Sequence, residues 1–175
     1  MITLVNRIAW VIGALGLPCL VLAVAGCGYS SKELFPEQYQ TVAAPIFENR
    51  TFYRGVEFEL AEAVTKQIES RTPYKVVSPG VAQTILEGTI TNIEQNQLSR
   101  RRPGGVPQEV ELTITVGFVW KDLGHQGGVI RDRRGFSAVG RYVPTAGVGE
   151  PFEVAQHQAV QRLAEDIVST MRTDW

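Results

Sequence analysis

From Val110 to Trp120 the apolar residues keep strict alternation: Val110, Leu112, Ile114, Val116, Phe118 and Trp120 take every second position, with Glu111, Thr113 and Thr115 between them and Lys121 following. Successive side chains of a strand point to opposite faces, so this run is a β-strand with one apolar and one polar face. Such a strand is stable only in a sheet whose apolar face is covered, and the cover must come from amphipathic elements elsewhere in the chain. Two segments qualify. Between Val56 and Ser70 the residues Val56, Leu60, Val64 and Ile68 recur every fourth position while Glu57, Glu59, Glu62, Lys66 and Glu69 fall elsewhere. That spacing predicts a helix, with Glu62 and Lys66 set as an i,i+4 pair and a stop ahead of Pro73. The second helix is predicted from Pro151, where a first-turn proline is tolerated, to about Arg172, with Val160, Leu163, Ile167 and Met171 on its buried stripe. Glu150 and Glu153 at its start and Arg172 at its end follow the order the helix dipole favours.

Further strands complete the sheet. Ile130–Val143 follows the turn-forming Asp122–Gly128 and is too close to the alternating strand for a crossover, so the two are predicted to form an antiparallel hairpin. In Thr84–Leu98, Leu86, Gly88 and Ile90 alternate but Ile93 falls out of phase, which predicts a bulge near Asn92. Thr41–Phe47 has strand length, and Pro45 within it favours an edge or a strand end. Tyr74–Val77 reads as a short extended piece. The element order is strand, helix, short extended piece, three strands, helix. The expectation is a single α+β domain, one mixed sheet with both amphipathic helices packed on one face.

The N-terminus has a different character. Arg7 precedes an uncharged apolar run from Ile8 to Ala25, and Val24-Ala25-Gly26-Cys27 closes it. This basic, apolar, small order is that of an export signal, and the last four residues resemble the lipobox of bacterial lipoproteins. The resemblance implies cleavage before Cys27 and acylation of that cysteine. Each buried methylene contributes roughly 0.8 kcal/mol, so two or three chains anchor where one holds only marginally. The chain then divides into a signal peptide (1–26), a lipidated N-terminus and tether (27–38) and the folded domain (39–175). The other cysteine, Cys19, is lost with the signal, which leaves neither a disulfide pair nor a cysteine-ligated metal site.

Catalytic constellations are not found. His125 lies in a glycine-rich turn and His157 on the last helix, without spaced partners for a zinc site. No serine stands in a G-x-S-x-G setting, and no glycine pattern forms a phosphate loop. The expectation is a protein that is not an enzyme and takes neither metal nor cofactor. After loss of Arg7 the chain has 16 basic and 18 acidic residues, a balance that argues against nucleic-acid binding.

Charge placement is uneven. From Gln95 to Arg141 eight basic residues stand with four acidic ones, the reverse of the remainder. Arg100, Arg101 and Arg102 precede Pro103-Gly104-Gly105 at a hairpin loop, and Arg131, Arg133 and Arg134 stand on the predicted strand Ile130–Val143. Guanidinium groups grip phosphate through paired donors, so these six are candidate anion-binding residues; a solvated loop protecting a strand end is the alternative.

Several segments together carry a family likeness. Cys27-Gly28-Tyr29, Val42-Ala43-Ala44-Pro45-Ile46-Phe47-Glu48-Asn49-Arg50-Thr51-Phe52, Gly55-Val56-Glu57, Arg71-Thr72-Pro73-Tyr74, Tyr142-Val143-Pro144 and Ala164-Glu165-Asp166-Ile167-Val168 resemble the LPS-assembly lipoprotein LptE family. The resemblance implies two helices against a four-stranded sheet, in an outer-membrane lipoprotein on the periplasmic side. It implies the large β-barrel LptD as partner, which such a lipoprotein plugs and helps assemble, and lipopolysaccharide as ligand. It does not align the basic residues individually. A periplasmic interaction lipoprotein of another envelope system, in secretion or activation of a cell-wall synthase, is the second reading, since such proteins share the Phe-Glu-Asn-like strand end.

Overall fold

The structure, a computed structural model, describes residues 35–100, 107–124, 127–143 and 152–172. Lys32–Trp175 forms one compact unit. In chain order its elements are β1 (Thr41–Ala43), β2 (Glu48–Asn49), α1 (Val56–Arg71), β3 (Lys75–Val76), β4 (Thr84–Arg100), β5 (Pro107–Asp122), β6 (Gly128–Tyr142) and α2 (Phe152–Ser169). The sheet runs β3-β1-β4-β5-β6, with β2 also on β4. β4, β5 and β6 form an antiparallel meander, while β1 and β2 pair with β4, and β3 with β1, in parallel.

The α+β class and the two helices stand, but the sheet has six strands where four were expected. Two causes add the extra strands. The piece after Pro73 enters the ladder, as Lys75 N donates to Gln40 O and Val77 N to Val42 O at 2.9 and 3.0 Å. Pro45, which has no amide proton, splits the first strand into β1 and β2. Val42 pairs with Thr84 but Glu48 with Thr89, so six steps on the edge span five on β4. The surplus folds Phe47 over Gly88, where the ring is 2 % exposed and a Cβ would collide with three of its carbons.

The alternation of β5 sets the core. Every even residue from Val110 to Trp120 is buried, and from Leu112 on they meet, with Leu86, Ile90 and Ile93 of β4, Leu60, Val64 and Ile68 of α1 and Val160, Leu163 and Ile167 of α2 in one cluster. Both helices therefore cover the same face. The bulge expected near Asn92 is present, as Ile90 pairs with Val116 but Asn92 with Thr115, leaving Thr91 as the extra residue. It returns Ile93 to the buried face. Helix α2 comes close to the strand backbone at Gly140, where a Cβ would strike the Ala155 carbonyl. Glu62 and Lys66 are both exposed on α1 and, among the described residues, form no ion pair with each other, contrary to the spacing rule. At 47 % and 44 % side-chain exposure Arg71 instead reaches Glu165 of α2 at 2.7 Å.

Candidate functional site

Among the described residues, the opposite face of the sheet carries no helix. Its residues are Glu87 and Thr89 of β4, Thr113, Thr115, Gly117 and Val119 of β5, and Asp132 with Ser137 of β6, brought into rows by the register. Where Gly117 supplies no side chain, the surface sinks into a groove of about 620 Å³ that also meets Ile46, Glu48, Arg50 and Arg134. Charges around it are locally matched. Arg50 donates from Nε and Nη2 to the two carboxylate oxygens of Glu48, both at 3.1 Å, and this bonding holds the Glu48 carboxyl below the usual range. Lys121 meets Glu87 at 2.5 Å and Arg134 stands 3.9 Å from Asp132. Arg50 was missed in the sequence, where only its place in Phe-Glu-Asn-Arg-Thr marked it.

The candidate basic residues do not form one site. Arg100 ends β4 opposite Pro107, whereas Arg131 and Arg133 pair with Trp120 and Phe118 near the other end of β5. At about 3.3 Å per residue, the eleven steps from Pro107 to Phe118 separate the two groups by roughly 36 Å. The β6 residues are themselves divided. Arg131 shares the helix-covered side and donates to the Arg172 carbonyl at 3.4 Å, while Arg134 falls in a bulge opposite Gly117 with Asp132 beside it. Gly135, at φ 66, permits that bulge. Arg101, Arg102, Cys27 and His125 lie outside the described residues. His157 is exposed on α2, with Nδ1 2.8 Å from Glu59. Among the described residues no cluster of three or more metal-ligating side chains occurs, and no helix is long and apolar enough to cross a membrane.

A third feature is the loop joining β2 to α1. Asn49 bridges it: Nδ2 donates to Tyr53 O at 2.6 Å and to Glu57 Oε2 at 2.7 Å, and Oδ1 accepts from the amide and hydroxyl of Thr51 at 2.9 and 2.8 Å. Burial pushes the Glu57 carboxyl up, but bonds from its own amide, from Asn49 and from Gly55, with the Arg54 charge, outweigh this and leave it below its ordinary value. Gly55 caps α1 in the left-handed region at φ 92. Between these fixed points Phe52 is 100 % exposed.

The profile of a family described as "LptE: Lipopolysaccharide-assembly" matches residues 39–171, which is the folded unit almost from end to end. The chain belongs to the LptE lipopolysaccharide-assembly family. One solved structure shares the fold, and two further lipoproteins superpose less closely. The hypothetical protein CT253 from Chlamydia trachomatis superposes with a TM-score of 0.51 at 11 % identity, covering 75 % of this chain and 95 % of that one. A minor lipoprotein from Acinetobacter baumannii gives 0.49 at 19 %, covering 80 % and 100 %. The rare lipoprotein B from Shewanella oneidensis gives 0.41 at 16 %, covering 75 % and 96 %. No curated protein sequence matches the chain. Three surfaces of this LptE-family member stand out: the open face with its groove, the ends of the long strands, and the edge where Phe52 projects.

Proposed function

We propose that this LptE-family protein is exported, cut before Cys27 and held by lipid to the periplasmic side of the outer membrane. There it plugs and helps assemble an LptD-like β-barrel and binds lipopolysaccharide on its way to the cell surface. The family match over residues 39–171 carries this reading. Physical features support it. A sheet with one helix-covered face leaves a broad Thr-rich polar face, suited to the polar interior of a large barrel. The protein's work in this reading is binding, without a catalytic step. Lipid A and core phosphates are anionic, and Arg100 at the end of β4, Arg101 and Arg102 next to it in sequence, and Arg131, Arg133 and Arg134 on β6 are the proposed contacts.

The deciding experiment is affinity purification of the tagged full-length protein from its native envelope, followed by identification of the partner. A large outer-membrane barrel is expected, and failure to recover one sinks the reading. Arg100, Arg101 and Arg102 changed together to Ser should weaken lipopolysaccharide binding while barrel association persists; unchanged binding returns the loop to a solvated strand end.

A further inference from the structure

Each edge of a sheet presents a row of unpaired N–H and C=O groups, and folds defend them with short strands, charges, bulges or covering groups. Two edges here are defended. β3 is two residues long and carries Lys75. β6 has arginines, a bulge at Arg134–Gly135 and cover from α2: Arg162 Nη1 donates to Val139 O at 2.6 Å, and Gln158 Oε1 accepts from Arg141 N at 3.3 Å.

The third edge is less defended: a bulge at Thr91 marks its start and Glu94 is its one charged residue. β2 leaves β4 where Arg50 N donates to Ile90 O at 3.1 Å. Beyond that bond, Asn92 to Gln97 pair without interruption with Thr115 to Val110 on one side only. Among the described residues, no group bonds the outward backbone of this stretch. From Thr91 to Leu98 there is no Lys, Arg or Pro, and all but Ile93 are exposed. At the head of the edge stands Phe52. Its loop is pinned by Asn49 on one side and by Tyr53 on the other, whose ring stacks on Phe152 at 5.6 Å and whose hydroxyl accepts from Gln95 of β4 at 2.9 Å.

We infer that the β4 edge from Asn92 to Gln97, with Phe52 at its head, docks an extended segment of a partner polypeptide, which adds a strand beside β4 and covers the Phe52 ring. The chemistry selects this occupant. Only another peptide backbone repeats donors and acceptors at the spacing of the ladder. A phosphate-bearing lipid finds no cation from Thr91 to Leu98, and Arg50, where β2 leaves β4, is already held by Glu48. A loop fixed before contact favours a shaped protein pocket, since little freedom is lost when the ring is buried. The identity of the polypeptide rests on the proposed function: the barrel partner supplies the strand from a loop or flanking segment, because a closed barrel has no free edge of its own.

The test is amide hydrogen exchange on the full-length lipoprotein alone and in its purified complex with the barrel, with binding of Phe52→Ala measured alongside. The fast amides among Asn92–Gln97 should slow at least about tenfold in the complex, as strand pairing protects them. Phe52→Ala should weaken the complex roughly ten- to hundredfold without changing the unfolding midpoint, since the ring touches nothing in the free protein. A barrel complex in which these amides stay fast, or in which Phe52→Ala binds as tightly as the native chain, overturns the inference while leaving the functional reading intact. Protection that appears in the isolated protein as its concentration rises assigns the edge to a second copy and also overturns it. A photo-crosslinker at position 52 that captures lipopolysaccharide instead of the barrel does the same. Failure to recover any barrel sinks the functional reading itself.

Discussion

The contact of Phe47 with Gly88 gives a sharp quantitative test of how the family segment is locked to the sheet. Gly88 is not in the left-handed region, so its backbone would accept alanine. The obstacle is space, because a Cβ would lie inside contact distance of Cε2, Cδ2 and Cζ of Phe47. An aromatic ring cannot bend away, and this one is wedged between the crossing after Pro45 and β4. Gly88→Ala must therefore displace the ring or lift the crossing, and forfeiting its burial plus overpacking amounts to about 2–4 kcal/mol. Phe47→Ala alone should cost about 3–5 kcal/mol as a large-to-small core change. In the Phe47→Ala background the clash is gone, and Gly88→Ala should be neutral or stabilising by up to about 1 kcal/mol, since alanine loses less freedom than glycine in a strand. The cycle thus has a coupling of roughly 2–4 kcal/mol. Urea unfolding followed by circular dichroism, with the fluorescence of Trp120, which is 1 % exposed, as a second probe, measures all four proteins. Additive losses would refute the reasoning, because they would mean that Gly88 is needed for its backbone and not for the ring above it.

Other predictions follow from the same geometry. The Glu57 carboxyl lies below its ordinary value near 4.5, so its bonds stabilise the fold above that value and the contribution is lost as pH falls through the lowered folded value. Urea midpoints of native protein and Glu57→Gln should therefore differ at neutral pH and converge as the carboxyl protonates in acid; a constant gap would show that Glu57 acts through packing alone. The two arginine groups, about 36 Å apart, should act independently, so Arg100–Arg102→Ser and Arg133/Arg134→Ser should weaken lipopolysaccharide binding by factors that multiply when combined. A combined variant no weaker than the stronger single set would show that only one group binds. Cys27→Ser should abolish incorporation of labelled palmitate and shift the protein out of the membrane fraction; retained label would place the acylation elsewhere.

Much of the fold was legible because its signals are periodic. The alternation of β5, the i,i+4 stripes of both helices and the phase slip of Ile93 each follow from one side chain meeting one face, and the structure reproduces them. What could not be read was whatever depends on a partner distant in sequence. Lys75 and Val76 have no strand-length pattern and become β3 only because Gln40 and Val42 offer carbonyls to Lys75 and Val77. Gly88 and Gly140 look like interchangeable small residues until Phe47 and the Ala155 carbonyl are seen to occupy their missing side chains. The arginine groups looked like one basic region because they are close in sequence, yet the length of β5 carries them apart. The exposed edge was the least visible feature, since Asn92–Gln97 resembles any polar strand until β2 is seen to depart at Ile90.

Charge on this sheet must be weighed by what surrounds each group. At about 4 Å two charges interact by roughly 1 kcal/mol in water, so a phosphate drawn to Arg134 is opposed by Asp132 and one drawn to Arg50 by Glu48. Of the three guanidinium groups that line the groove, Arg50 and Arg134 are therefore weaker anion contacts than Arg133, which forms no ion pair among the described residues. Arg100, Arg101 and Arg102 differ because Glu94 and Glu109 are the nearest acids in sequence, and Glu109 already lies 4.0 Å from Arg141. A polyanion therefore gains more at the hairpin end than over the open face. In the proposed reading the same reasoning separates the two partners in space: lipopolysaccharide phosphates chiefly at the hairpin end, and polypeptide along the cation-free edge that leads up to it.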